Sequence, residues 1–192
     1  LPEGAGIGRI QLFRFNHDLK LYRSEFRVQR ECVIDSNADE NELRDLLCSI
    51  LLLTGDVLLQ TPDGNQHPIT PQSGLIYRVR DNGTRIILRG GQTVRHIGVT
   101  GNLPALQRRL GAELPGGLAC FSSFPASGLV SRRIPVQARL RGLLANVFSP
   151  LTCTADPLQE IMLEGVSLSI LAEMSRIVLE SDSDRDDKIS LW

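Results

Sequence analysis

The chain has 192 residues, 42% of them hydrophobic and 22% charged, with a formal net charge of −1. That length buries a full core without disulfide or metal staples. The near-neutral balance gives no electrostatic footing on nucleic acid, whose non-specific affinity comes from clustered basic groups that displace counterions. No apolar run approaches the roughly 20 residues a membrane-spanning helix needs.

The first hundred residues read as short strands separated by turns. Gly8 to Phe15 alternates apolar and polar positions, Asn16-His17-Asp18 turns, and Leu19 to Val28 alternates again, which is the signature of a hairpin. A polar loop, Ser36 to Asn41, precedes the apolar run Leu46 to Leu53. Thr54-Gly55-Asp56 breaks that run before Val57-Leu58-Leu59. Turns are expected at Pro62-Asp63-Gly64-Asn65, Pro71-Gln72-Ser73-Gly74 and Asp81-Asn82-Gly83, the last with the Asn-Gly pair of a tight hairpin. Between them lie strands over Leu75 to Arg80 and Thr84 to Arg89, and Gly90-Gly91 leads into Thr93 to Thr100. So many short strands point to a barrel or sandwich, which hides sheet edges from aggregation.

The period then changes. Asn102 suits a helix N-cap, Leu103, Leu106 and Leu110 share a helical face, and Gly111 suits the stop. Ser131 is expected to cap a helix carrying Val136, Leu140, Leu143, Leu144 and Val147. Asp156 caps a longer one with Pro157 at its first position and Gln159 at its third. The short connection from Ser149 to Ala155 makes these two an antiparallel hairpin. The reading divides the chain into a β-barrel region over 1–101, a helical region with a hairpin over 102–181, and a polar linker over 182–192.

Chemistry-bearing residues are sparse. Cys32, Cys48, Cys120 and Cys153 form no C-x-x-C pair, and no secretory signal opens the sequence. They read as free thiols of a cytoplasmic protein. His17, His67 and His96 are each alone, without the i, i+2 spacing that places two ligands on one strand face. No metal site, cofactor or catalytic centre is therefore expected, and the chain does not read as an enzyme. Apart from Lys20 and Lys188 the basic residues are arginines. Several lie on strands beside aromatic residues, and Phe13, Arg14, Tyr22, Phe26, Tyr77, Arg78, Arg80 and His96 form the candidate ligand-binding set. Rings there would supply apolar area and guanidinium groups would pair with an anion. Alternation alone leaves open which strand face is inside. In the last helix Gly165, Ser169 and Ala172 recur at spacings of four and three, with Ile161 and Leu168 beside them. This stripe suits either close packing within the hairpin or a dimer seam.

Two segments carry a family resemblance. V-R-H-I-G-V-T (Val94 to Thr100), running into a short helix, and L-E-G-V-S-L-S-I-L-A-E (Leu163 to Glu173) resemble the sensor half of AraC-type transcriptional regulators, in the subgroup that activates siderophore uptake. The resemblance covers roughly residues 70 to 180. It implies an α+β fold, a cupin-like antiparallel barrel or sandwich followed by an antiparallel helical hairpin. It further implies a small-molecule effector such as a ferric siderophore, any metal entering only as part of that ligand, and a role in iron homeostasis. AraC-type sensors commonly dimerise through these helices, so the resemblance also implies a homodimer, with DNA reached only through a separate domain with two helix-turn-helix units. Two rival readings stay open: a cupin-fold enzyme with a non-standard site, and a purely structural dimerisation module.

Overall fold

The computed structural model describes residues 1–15, 19–36, 46–61, 64–79, 84–110, 116–122, 129–149 and 157–189. The Asn16 to Asp18 and Asp81 to Gly83 turns, Gly111, Cys153 and the Asp156 cap lie outside these residues, as do most of the Ser36 to Asn41 loop and of the Ser149 to Ala155 connection.

The strands are β1 (Gly6–Arg14), β2 (Leu19–Val28), β3 (Cys32–Ser36), β4 (Leu46–Thr54), β5 (Val57–Gln60), β6 (Gln66–Ile69), β7 (Ser73–Val79), β8 (Thr84–Leu88), β9 (Gln92–Asn102) and β10 (Leu129–Pro135). The helices are α1 (Leu103–Leu110), the single turn α2 (Gly116–Ala119), α3 (Ala138–Val147) and α4 (Pro157–Ile189). The strands form a larger sheet ordered β1-β2-β9-β4-β7-β10 and a smaller one ordered β3-β8-β5-β6, with every pairing antiparallel. Strands β2 to β9 thus alternate between two four-strand orders, 2-9-4-7 and 3-8-5-6. That is the jelly-roll topology, the one cupins share, with β1 and β10 added at the outer edges.

Strand periodicity assigns the faces. Phe26, Val28, Ile50, Leu52, Leu75, Tyr77 and Val94 of the larger sheet pack with Val57, Leu59, Ile69 and Leu88 of the smaller one, forming the core between the sheets. The residues of opposite parity, among them Leu19, Leu21, Leu47, Leu51, Ile76, Ile97 and Val99, form a second core with Leu140, Leu144 and Val147 of α3 and Leu163, Ile170, Met174 and Ile177 of α4. The protein is therefore three layers: helices, the larger sheet, the smaller sheet. The larger sheet is apolar on both faces, which is why Leu46 to Leu53 reads as a continuous apolar run.

Local signals explain several elements. Gly55 and Gly91 adopt positive φ values of 80° at the turns they break, a conformation open to Gly at no steric cost. Asn102 caps α1 as its sequence suggests: its Oδ1 accepts the Ala105 amide at 3.1 Å. In the α3–α4 pair, Glu173 of α4 is buried and accepts from Arg176 at 2.7 Å, while Arg139 of α3 approaches it at 3.4 Å.

Four expectations need correction. First, β7 and β8 are not a hairpin, because β7 pairs with β4 and β10 while β8 pairs with β3 and β5. Turn chemistry reports a reversal of the chain and not which sheet receives the next strand. Second, Ser131 caps no helix. It lies in β10 opposite Tyr77, and α3 starts only after Gln137. Pro135 decides this, since it restricts Ile134 to extended backbone and has no amide for a helix interior; at the end of an edge strand it is tolerated. Third, the helical region beginning at 102 consequently contains a strand. Fourth, α4 continues through the expected linker to Ile189. A polar composition marks a stretch as needing no core partner, not as non-helical.

Candidate functional site

A cavity of ≈ 170 Å³ lies between the two sheets. The larger sheet contributes Ile10 from β1, Tyr22, Ser24 and Phe26 from β2, Ile50 from β4, and Val94 and His96 from β9; the smaller sheet contributes Ile34, Val57, Ile86 and Leu88. Its walls are therefore hydrocarbon apart from one imidazole and two hydroxyls. Ile10 lines the cavity and is still 56% exposed, so the cavity opens past the edge strand β1.

The polar pair follows from register. Ser24 stands directly opposite His96 across β2 and β9, and Ser24 Oγ and His96 Nδ1 are 3.3 Å apart. His96 Nε2 is buried with no hydrogen-bond partner in the structure. Burial holds the imidazole pKa down to about 4, because a charged ring here would lose its hydration. At neutral pH the ring is uncharged. Further along the same inner face the Cys48 thiol is pushed up to about 11 by burial, against the opposing hydrogen bonds of Thr100 and Tyr77. Tyr77 is raised well above its ordinary value, chiefly by burial as well. Burial thus drives Cys48, Tyr77 and His96, on this inner face, toward their neutral forms.

The candidate ligand residues divide between the faces. Tyr22, Phe26 and His96 line the cavity. Tyr77 lies in the same inter-sheet core but not in the cavity wall. Arg14 is exposed near the end of β1, opposite Lys20, and does not line the cavity. Phe13 is on the opposite face, packed toward the helices, with the Arg23 guanidinium 5.3 Å from its ring centre. Arg78 is also on that face: it is buried and donates to the carbonyls of Phe121 and Ser122. Its charge holds the segment after α2 and has no role in the cavity. Arg80 lies outside the described residues, as does His17. The expected guanidinium-lined cavity is thus absent from the described wall. Of the lining residues, Ser24 and all the apolar ones other than Phe26 were not among the candidates. Ser24 was recoverable only from the β2–β9 register, which joins segments about seventy residues apart.

Among the described residues no three His, Cys, Asp or Glu side chains converge as a metal site. No helix among them is long and apolar enough to cross a membrane.

The outer face of α4 is the second feature. Leu158, Ile161, Met162, Gly165, Ser169, Ala172 and Leu179 recur at helical spacing and are all exposed, Ile161 at 67%. Nothing lies within 4 Å of where a Cβ on Gly165 would project. Leu168 differs from its neighbours: it is half-buried and packs on the edge of the helix–sheet core.

Across residues 7–190 the sequence matches the regulatory protein PchR N-terminal domain family. The chain belongs to that family. It is an N-terminal regulatory domain, in agreement with the AraC-type sensor resemblance carried by Val94 to Thr100 and Leu163 to Glu173. Comparison with curated proteins returns no match. Similar solved structures include the AraC-like transcriptional activator CuxR, at 13% identity and TM-score 0.49, covering 93% of this chain and 60% of that one. A cupin domain of an XRE family transcriptional regulator from Enterobacter cloacae is similar at 12% identity and TM-score 0.36, covering 50% of this chain and 96% of that one. Ectoine synthase from P. lautus is similar at 15% identity and TM-score 0.34, covering 70% and 85%. At these scores the likenesses carry no argument about ligand, activity or assembly.

Proposed function

We propose that the domain binds a small-molecule effector between its sheets and dimerises through α4, acting as the cytoplasmic sensor of an AraC-type regulator that reaches DNA through a further domain. The observation that carries the effector site is the His96 imidazole, its Nε2 unpartnered, in a cavity open at β1 whose wall is otherwise hydrocarbon but for the hydroxyls of Ser24 and Tyr22. Ligand pockets are typically apolar with a few placed polar groups. A siderophore-like effector, ferric when loaded, is the ligand class implied by the resemblance. A cavity of ≈ 170 Å³ takes one ring of such a molecule, and the rest would lie at the mouth beside Ile10 and Leu12.

The route from cavity to helices is short. β2 and β9 present Ser24 and His96 to the cavity and, one residue away, Arg23 and Arg95 to the other face. Arg23 donates to the Val147 carbonyl at the end of α3 at 2.7 Å, and Arg95 lies 5.7 Å from the centre of the Phe148 ring. An effector that favours one arrangement of these strands would shift the population of helix arrangements. Native mass spectrometry of the chain with a panel of ferric siderophores tests this reading. One ligand bound per chain, in a dimer, is expected. A chain that stays monomeric and binds none of the panel would overturn it.

A further inference from the structure

The cavity's own chemistry specifies more than its volume. A cavity of about 150 Å³ lined by aliphatic and aromatic side chains is enough to hold benzene, so ≈ 170 Å³ admits a single ring with one small substituent. Water finds partners only at the His96, Ser24 and Tyr22 end of the cavity. It needs two to four polar partners, and beyond His96, Ser24 and Tyr22 the wall offers side chains of Ile, Val, Leu and Phe. Among the described residues no Lys or Arg lines the wall, and a lone ionised group taken into such surroundings loses its hydration without a counter-charge. The imidazole is itself uncharged, since burial holds its pKa at about 4. The orphaned Nε2 either donates or accepts, according to which partner of the Ser24–His96 pair holds the shared proton. A hydroxyl satisfies both cases, because it donates and accepts.

We infer that the cavity selects an uncharged single ring bearing a hydroxyl group, seated between Phe26 and Ile86 with its hydroxyl on His96 Nε2. This rests on the cavity being the effector site, and it names the part of the effector that enters. It replaces the anionic ligand that the arginine-rich strands suggested, since Arg78 is turned to the helices and Arg14 is exposed.

Phenol, toluene and benzoate test it, each titrated into the chain and followed by heteronuclear NMR at the amides of Ser24, Val94 and His96. Toluene has the shape of phenol without the hydrogen bond, and benzoate adds the charge. Phenol is expected to bind about tenfold tighter than toluene, the effect of one buried hydrogen bond, and benzoate at least tenfold more weakly than phenol. In His96→Leu the phenol-to-toluene ratio falls to about one while toluene still binds, which also shows that the cavity is intact. Should that variant fail to fold, Ser24→Ala, which removes the partner of Nδ1, is expected to cut the ratio at least threefold. Ile86→Phe fills the ring site and is expected to exclude phenol and toluene alike. Equal affinity for phenol and toluene, benzoate binding as tightly as phenol, or no response to any probe at millimolar concentration would overturn the inference. Siderophore binding without probe binding leaves the effector reading standing and removes this ligand class. Probe binding without siderophore binding does the reverse for the siderophore assignment.

Discussion

Tyr77 and Arg78 are neighbours on one strand, so their side chains must leave the sheet on opposite faces. No reading that places both in one site can hold. Tyr77 faces the inter-sheet core and Arg78 the helices. The same rule sorts Tyr22, Ser24 and Phe26 from Arg23, and Ile10 from Phe13. Parity was legible in the sequence; which parity faces the cavity was not, because both faces of the larger sheet are apolar and buried. His96 carries the sharpest consequence at this scale. Its folded pKa of about 4 lies below the usual 6.5 of an unfolded histidine. The unfolded chain therefore binds a proton that the folded chain refuses as pH falls from 6.5 toward 4. Stability is complete above this window and is lost through it. Between pH 7.5 and 5.5 the loss is about 1 kcal/mol. Glu25 and Glu173, held below 4.5 by Arg95 and Arg176 respectively, stay largely ionised in both states over that span. Urea unfolding at the two pH values should show the loss in the parent and its absence in His96→Leu. An equal loss in both would mean that His96 is not held neutral.

At the scale of elements, α4 has two apolar faces of different kinds. Leu163, Ile170, Met174 and Ile177 are buried against the sheet, at spacings of seven, four and three that place them on one helical face. The opposite face carries Ile161, Gly165, Ser169 and Ala172 in the open, and helical spacing finds it too. Exposure leaves its occupant unnamed; we assign it to a second copy of the chain. Gly165 provides a clean test because a side chain added there would meet nothing in its own chain. Gly165→Leu should leave the monomer as stable or raise its stability by up to ~1 kcal/mol, since Gly is the poorest helix former after Pro. It should nonetheless weaken a dimer built on this face by overpacking it, by about 1–3 kcal/mol. Ile161→Glu, which introduces a charge at an exposed position, should act the same way. Sedimentation analysis with circular dichroism reads both outcomes; folded variants with unchanged self-association would show that the seam lies elsewhere. Leu168→Glu is less discriminating, because Leu168 is half-buried on the domain's own core and its loss would destabilise the fold. The misread element, β10, shows the limit of helical periodicity: Leu140, Leu144 and Val147 do line one helical face, but Pro135 keeps Val136 out of the helix and sends Leu129 to Ile134 into the sheet.

At the scale of the whole molecule, the alternating strands announced an antiparallel two-sheet fold, yet the jelly-roll order depends on pairings such as β2 with β9 and β3 with β8. Those join segments fifty to seventy residues apart, and no local pattern encodes them. The arrangement matters because it makes the larger sheet a wall shared by the cavity and the helices. A net charge of −1 supplies the domain with no net electrostatic attraction to DNA, and a gel shift at moderate salt with residues 1–192 should show no sequence-specific complex. In the proposed mechanism the effector signal passes through the shared wall, and Arg23 is a direct link between that wall and α3. Buried on the helix side, it donates to Val147 O at the end of α3 and to Gln11 Oε1 at 3.0 Å, and it stacks on Phe13. A cation at a helix C-terminus also meets the negative end of the helix dipole. Arg23→Leu leaves the cavity wall untouched, since Ser24 and Tyr22 face the other way. It should cost about 1.5–3 kcal/mol of stability, the range for hydrogen bonds to a charged group, without changing phenol affinity by more than about twofold. In the parent, saturating phenol should slow amide hydrogen exchange in the last turn of α3; in Arg23→Leu that slowing should vanish while phenol remains bound. If both proteins respond alike, coupling runs through the Glu25–Arg95 pair and Phe148 or is spread over the sheet. If neither responds, the cavity and the helices are energetically independent, and the population-shift mechanism fails.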